Sequence, residues 1–334
     1  FPPKDGTLGA GGRATGSVAV VEMPEIYDEF AFGRRDPIAL RNFLQCADRE
    51  WDGGDPEDGP AFVTLLGDAY FDYRDHLGQG GRNHVPTYEG YWDSSFETAI
   101  YSPQFGSDDF LFLLDPGLQL DLAFGRLPAR TPAQAAAIVQ KVRRYELSSD
   151  PGSWRGRLTL VADDLCQGTG LDVLRARHME QTEDLLQFLP EELQRDKVYL
   201  YDFGTACVYD RKPLAAEALR ARMNQGTLLV NFTGHGSDEQ IADERVFELG
   251  TVPSLTNAER LFLFFTASCS VGKYDFLGEG LGEALLLHPG GGAIGVFSAS
   301  AVAFSAGNSD MNQRFFRAVW PGRELWVPRP LGVA

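Results

Sequence analysis

Two short segments carry residue types that together do covalent chemistry. Thr233-Gly234-His235-Gly236-Ser237 follows one apolar run, Ala267-Ser268-Cys269-Ser270 follows another, and His235 and Cys269 lie 34 residues apart. A thiol with an ordinary pKa of about 8.5 is a weak nucleophile at neutral pH, and an adjacent imidazolium favours the thiolate. The same imidazole can then protonate a departing amine. The glycines flanking His235 let the backbone approach a substrate. The amides of Gly236 and Cys269 would face a developing oxyanion, an effect of about 3–4 kcal/mol per donor in hydrolases. Taken singly, a cysteine beside an apolar strand is a core residue and a Gly-His-Gly segment is a turn. Both past strand ends at this spacing predict a cysteine nucleophile with a histidine partner.

The elements that must position them are legible as apolar runs. Residues 61–68, 158–164, 227–234, 261–267 and 293–298 lack polar alternation, which suits strands of a parallel sheet buried on both faces. Helical patterns over 132–147, 172–188 and 213–225 lie between them. This is the βαβ rhythm of an α/β fold with a doubly wound, mostly parallel sheet. Such sheets collect functional groups at the carboxyl ends of their strands, where His235 and Cys269 fall. One strand–connection–strand unit fits the 34-residue spacing, so the two strands are expected to be neighbours. A Ser/Asp/Pro/Gly cluster at 148–154 divides the chain into two α/β sub-domains, 1–150 and 151–334.

Composition narrows the function classes. The chain has 334 residues, with 30 Lys+Arg against 47 Asp+Glu and a net charge of −17. Without a basic stripe, such a chain is not expected to bind nucleic acid. No run of about 18 apolar residues is present to span a bilayer as a helix. Four cysteines are too few for a disulfide framework. Residues 1–15 have no apolar stretch of the signal-peptide kind, Val18–Val21 starts a strand, and the closing VPRPLGVA completes no element. The chain reads as an excerpt of a longer polypeptide, lacking the first strands of its domain.

NFTGHGS, LTNAERLFLFFTASCSVGKYD and GEALLLHPGGGAIGVFSASAVAFSAGN resemble the gingipain-like C25 cysteine peptidases of the caspase-like clan. The resemblance implies a caspase-like fold, His235 and Cys269 as the catalytic dyad, and the Gly236 and Cys269 amides as the oxyanion hole. In the first half, IYDEFAFGRRDPIALRNFL, LLGDAYFDYRD, NHVPTYEGYWDSS, SDDFLFLLD and FGRLPARTPAQA are similar to the PorU-type branch, the sortase or C-terminal signal peptidase of the type IX secretion system. That similarity implies cleavage of the C-terminal signal of secreted cargo at the outer bacterial surface, in company with other secretion-system components. The acyl group would pass to water or to an amine on lipopolysaccharide. The family block LLGDGSYDYRN reads LLGDAYFDYRD here, with Ala69 and Phe71 in a loop. No segment matches the Arg- or Lys-selecting pocket of the secreted proteases. The family's supporting acid falls in LTLVADDLC, where Asp164 fits best and Asp163 next; a carboxylate facing an imidazole fixes its tautomer, while a strand-end Asp also caps the next segment of chain. Rival readings are a secreted gingipain-like endopeptidase without transpeptidase action and a non-catalytic surface scaffold of the same fold.

Other residues invite weaker readings. His178, in RARHMEQTED, could approach the substrate cleft, but the expectation is a solvated helix residue. His76 and His84 belong to a solvated loop beside Asp68, Asp72 and Asp75. No cofactor is required by the chemistry, and a structural calcium is possible, with Asp108-Asp109 the nearest oxygen-rich candidate. Gly290-Gly291-Gly292 is a turn before a strand and not a phosphate loop, because no Lys-Ser/Thr follows. Cys46, Cys166 and Cys207 read as core or boundary thiols, and Tyr88, Tyr91 and Trp92 as an aromatic cluster that packs the core or, in the sharper reading, walls a cleft.

Overall fold

In the computed structural model, residues 6–7, 17–51, 60–79, 81, 83–91, 104–117, 119–148, 152–164, 177–204 and 211–323 are described. Proline near the first helical position recurs in four helices: α1 (Met23–Ala31), α2 (Pro37–Glu50), α3 (Pro132–Leu147) and, later, α5 (Pro213–Gln225). Proline costs nothing there, because its missing N–H would have no intrahelical acceptor. Asp36 caps α2 by accepting from the Ile38 N–H at 2.9 Å, and Thr131 caps α3 by accepting from the Gln134 N–H at 3.2 Å.

The first half holds two small pairings. Strand β1 (Phe62–Leu66) runs parallel to β4 (Ala123–Leu127), and β2 (Tyr88–Tyr91) pairs antiparallel with β3 (Gln104–Ser107). Val63 and Leu65 turn toward Leu40, Leu44, Leu111 and Phe112, under α1 and α2. Here the expectation of a strand buried on both faces is corrected. Phe62 is 54% exposed and Leu66 50% exposed, because the helices cover one face of this pair only. The strand expected at Val18–Val21 is reduced to Ser17–Val18, paired with Gly6–Thr7.

The second half is built on a five-stranded sheet. Its strands are β5 (Arg157–Ala162), β6 (Gln194–Tyr199), β7 (Leu229–Thr233), β8 (Phe262–Ala267) and β9 (Ala293–Ser298), in the order β9-β8-β7-β5-β6, every neighbour parallel. Helix α4 (Arg177–Asp184) lies between β5 and β6, α5 between β6 and β7, α6 (Leu281–Leu287) between β8 and β9, and α7 (Ser305–Val319) follows β9. Two cores explain the missing polar alternation. Val161, Val230, Phe232, Phe262 and Phe264 pack with Leu219 and Met223 of α5 and Leu281 and Leu285 of α6. Leu158, Leu160, Ala162, Leu229, Phe265 and Ala267 pack on the other face with Leu185, Leu189, Phe316 and Trp320. Successive side chains alternate between two apolar layers, so neither set is polar. This is the expected α/β sheet, and the expected ends of α3, α5 and β9 coincide with the observed ones. Helix α4, expected over 172–188, runs from Arg177 and passes into a 3₁₀ turn at Leu185–Phe188; residues 172–176 lie outside the described part.

The order reverses between β5 and β7. From β5 the chain steps outward to β6, then crosses back to β7 and proceeds to β8 and β9. The carboxyl ends of strands flanking such a reversal form the crevice in which open α/β sheets bind ligands.

Charged side chains tie the first half to the second. Arg130 pairs with Asp68 at 2.6 Å and Glu283 at 3.1 Å, and donates to the Gly278 carbonyl at 2.6 Å. The buried Lys141 ammonium donates to the carbonyls of Leu285, Leu286 and His288 at 2.8, 3.1 and 3.2 Å, at the carboxyl end of α6. A cation suits that end of a helix. Burial and the charge of Arg144 nonetheless lower the Lys141 pKa to about 7.

Candidate functional site

The register of the central strands decides which groups meet. Ala162 of β5 and Ala267 of β8 both pair with Thr233 of β7, so these three residues form one row at the carboxyl edge. Asp164, His235 and Cys269 each stand two residues beyond that row. The pairing continues past the strands, since Asp163 N–H donates to Thr233 O at 3.0 Å and Gly234 N–H to Ala267 O at 3.3 Å.

The glycines around His235 have a use the sequence did not show. A Cβ on Gly234 would lie 2.3 Å from Asp163 Cβ and 2.7 Å from Phe232 Cζ. One on Gly236 would lie 2.8 Å from Val271 Cγ2, 2.9 Å from Ser268 Oγ and 3.0 Å from Cys269 O. Both sets of separations are shorter than real Cβ contacts allow. The expected approach of backbone to substrate is therefore first an approach of the His235 loop to the Asp163 and Cys269 loops. Among the described residues, neither the Gly236 nor the Cys269 amide donates a hydrogen bond.

Cys269 is half-buried and not disulfide-bonded. Its Sγ–H donates to the Ala303 carbonyl at 3.3 Å, and Sγ accepts from the Ala303 N–H at 3.4 Å. The next residue, Ser270, adopts a left-handed φ of 53°. Its N–H bonds to Ala301 O at 2.9 Å, and Gly272 N–H bonds to Ala299 O at 3.0 Å. The thiol thus rests on the 299–303 segment after β9, and His235 is likewise half-buried. No thiol–imidazole hydrogen bond is formed in this arrangement.

The two acids at the end of β5 divide their work. Asp163 Oδ2 accepts the His235 backbone N–H at 2.9 Å, and Oδ1 accepts the Asp164 N–H at 2.9 Å. Asp163 therefore holds the peptide unit that carries His235. Asp164 forms an ion pair with Lys212, whose ammonium also donates to Leu200 O and Gly204 O at 2.9 and 3.0 Å. No hydrogen bond joins the His235 ring to either carboxylate. Glu244, also buried, brings a third carboxylate, and one oxygen of each of the three lies within 4.8 Å of the others. Burial, and then the charge of Asp163, pushes Glu244 above the usual carboxylate range. Burial also raises Asp163, against the His235 N–H and imidazole, which lower it. These three carboxylates have the donor chemistry to hold a cation, and Lys212 already supplies one positive charge to the group.

His178 departs most from its expected place. It is 6% exposed, and its ring meets His235 edge-to-face, with centroids 5.5 Å apart and planes at 80°. The strongly polar RHMEQTED segment hides this, because α4 turns one narrow face inward. Arg126 Nε and Nη2 each bond the Asp108 carboxylate at 2.7 Å. His76 is exposed, and His84 is exposed with Nε2 at 3.0 Å from Arg130 O, as a surface loop requires. Tyr88 stacks on Phe110 with centroids 3.8 Å apart. Gly292, at φ 85°, enters β9 after a turn braced by Asn257. Cys46 is partly exposed; Trp92, Cys166 and Cys207 lie outside the described residues.

The paired strands β2 and β3 brace, from the first half, the segments on either side of the thiol loop. Gly106 N–H donates to Asp275 Oδ2 at 2.8 Å, and Ser300 Oγ–H donates to Gly106 O at 2.6 Å. Glu89 stands opposite Gly106. Among the described residues both its carboxylate oxygens are buried without a partner. Burial, followed by the charge of Asp275, raises its pKa from the usual 4.5 to about 8. A raised carboxyl pKa favours the fold while the group is protonated, and that contribution is lost as pH climbs from 4.5 through about 8. Glu89→Gln is therefore expected to flatten the decline in melting temperature on the alkaline side. Parallel melting curves of variant and wild type across that window would refute it.

A parallel α/β sheet with histidine and cysteine at adjacent strand ends beside a topological reversal is the framework of a caspase-like protein. The profile of Peptidase family C25 matches residues 13–334, and the chain belongs to that family. Its fold is similar to the crystal structure of the Arg-specific cysteine proteinase gingipain R, with a TM-score of 0.67 and 16% identity, over 92% of this chain and 62% of that one. The complex of Porphyromonas gingivalis RgpB pro- and mature domains is similar at TM-score 0.65 and 15% identity, over 91% and 62%. A structure described as a protease is similar at TM-score 0.62 and 18% identity, over 85% and 54%. The chain thus spans less than two thirds of each of these. No curated protein matches the sequence.

Proposed function

We propose that this chain is the peptidase unit of a cysteine endopeptidase that cleaves polypeptides through a Cys269 thioester. The observation that carries the reading is the shared register of β7 and β8, which sets His235 and Cys269 at equivalent positions beyond the Thr233–Ala267 pair. In the reaction, the Cys269 thiol leaves Ala303 and gives its proton to the His235 imidazole. The thiolate attacks the scissile carbonyl carbon, a C–S bond forms, and the carbonyl electron pair moves onto oxygen. The amides of Gly236 and Cys269 stabilise that charge. Collapse breaks the C–N bond, and the imidazolium protonates the leaving amine. Water or a second amine then attacks the thioester, giving up a proton to His235 and releasing an acid or a new amide with the free thiol. Asp163 holds the His235 peptide unit during these steps, while Asp164, tied to Lys212, supports the loop behind it.

The finer reading is a sortase: cleavage of the C-terminal signal of secreted cargo at the outer surface of a bacterium, with transfer to an amine on lipopolysaccharide. The first-half segments similar to the PorU-type branch support it. A peptidyl acyloxymethyl ketone, which alkylates a thiol only within a working site, is expected to modify Cys269 and to spare Cys46. Absence of selective modification would point to a non-catalytic scaffold. Mass spectrometry of the cleaved cargo end separates the two peptidase readings, since a conjugated terminus marks transfer and a free acid marks hydrolysis.

A further inference from the structure

The peptidase reading leaves one question about His235: what faces the far side of its ring. His235 Nε2 is buried and, among the described residues, has no hydrogen-bond partner. Neither carboxylate at the end of β5 is hydrogen-bonded to it: Asp163 accepts from the Asp164 and His235 backbone amides, and Asp164 Oδ2 pairs with Lys212. His178 Nδ1 is likewise buried and without a partner among the described residues. The two rings are neighbours, with centroids 5.5 Å apart. An N–H···N bond of about 3 Å between two imidazoles brings their centroids to about 5–5.5 Å, so the observed ring separation matches that of a pair joined through the two orphaned nitrogens. Perpendicular planes do not oppose this, because the bond needs only a shared axis.

We infer that His178 is a positioning residue for His235, its Nδ1 lone pair accepting the His235 Nε2–H. The inference rests on the peptidase reading. It assigns the Nε2–H tautomer to neutral His235, which leaves Nδ1 as the nitrogen that takes the thiol proton. It also supplies a neutral acceptor where a carboxylate commonly steadies a catalytic histidine. A second imidazole suits a site already crowded with three buried carboxylates, since it adds no negative charge.

The surroundings keep His178 in the accepting form. Burial, then the charges of His235 and Arg177, lowers its pKa to about 4. It therefore stays neutral when His235 becomes an imidazolium. The charged groups that act on it are His235 beyond β7 and Arg177 on its own helix. The backbone is fixed as well, since the His178 carbonyl accepts from Thr182 Oγ1 at 2.8 Å.

Two variants separate a hydrogen bond from simple packing. His178→Phe keeps a ring against His235 and removes the acceptor; His178→Asn loses the ring and keeps an acceptor near the Nδ1 position. The rate of Cys269 alkylation by iodoacetamide against pH reports the thiolate–imidazolium pair without any assumed substrate. His178→Phe is expected to slow alkylation in mildly acidic buffer about tenfold or more and to move its onset to higher pH, and His178→Asn to recover most of the loss. An unchanged profile in His178→Phe would overturn the inference while leaving the wild-type dyad standing. A wild-type profile like that of a free thiol would instead overturn the dyad itself. If the phenylalanine variant fails to fold, ¹⁵N-histidine spectra of the wild type decide, with only five histidines to assign. Neutral His235 protonated at Nε2 supports the assignment, and protonation at Nδ1 refutes it.

Discussion

Cys269→Ala is expected to abolish turnover and leave the fold in place. The loss should exceed about 10⁴-fold, the scale seen when the nucleophile of an acyl-transfer enzyme is removed. Stability should change little, because Sγ contacts only the Ala303 backbone by hydrogen bond and lies in a half-buried loop. The β-sheet beneath it is held by the two apolar layers, which the substitution does not touch. Adding His235→Ala to this variant should cost almost nothing further, since nucleophile and base act as one unit. The check is single-turnover cleavage alongside circular dichroism. Residual turnover near the wild-type rate in a folded Cys269→Ala protein would remove the mechanism.

Lys212→Met carries the largest expected effect on stability. The ammonium is almost wholly enclosed, as is its partner Asp164, and it also meets two backbone carbonyls. Removing it leaves the Asp163, Asp164 and Glu244 carboxylates grouped within 4.8 Å with no buried ammonium among them. Deleting one partner of a buried pair costs about 3–5 kcal/mol, because the remaining charge has lost both water and counterion. The cost should depend on pH with a definite sign. Asp163 and Glu244 are already raised, mainly by burial, so protonation relieves the group at low pH. The variant should therefore be least stable in alkaline buffer and recover as pH falls. Asp164→Leu in the same chain should restore much of the loss, because an apolar pair can replace a buried ionic one. Urea unfolding in acidic and alkaline buffer measures all of this, and a loss independent of pH would refute the charge argument.

Local pattern was legible wherever one segment's own chemistry sufficed. Pro132 with Thr131 announced the start of α3, and Pro213 the start of α5. The runs at 158–164, 227–234, 261–267 and 293–298 announced buried strands, because a strand covered on both faces has no room for polar alternation. The same reasoning overreached at β1, where Phe62 and Leu66 face outward: an apolar run shows what a strand prefers, not how many layers cover it. Groups that compensate one another across the fold were not legible. Asp164 and Lys212 stand 48 residues apart, and Arg130 meets Glu283 across 153. His178 was hidden for a related reason, since the buried positions of its helix, His178 and Thr182, are themselves polar and leave no apolar stripe to read.

The amino-acid sequence alone determined that a histidine and a cysteine each follow a buried strand, between glycines in one case and serines in the other. It determined this because burial of a strand is written in that strand's own residues. Only the tertiary structure decided that β7 and β8 lie side by side in matched register, that Asp163 rather than Asp164 grips the His235 backbone, and that His178 comes to rest against the His235 ring. Those outcomes depend on which strands pair and how the connecting helices pack over them, and no single segment carries that information.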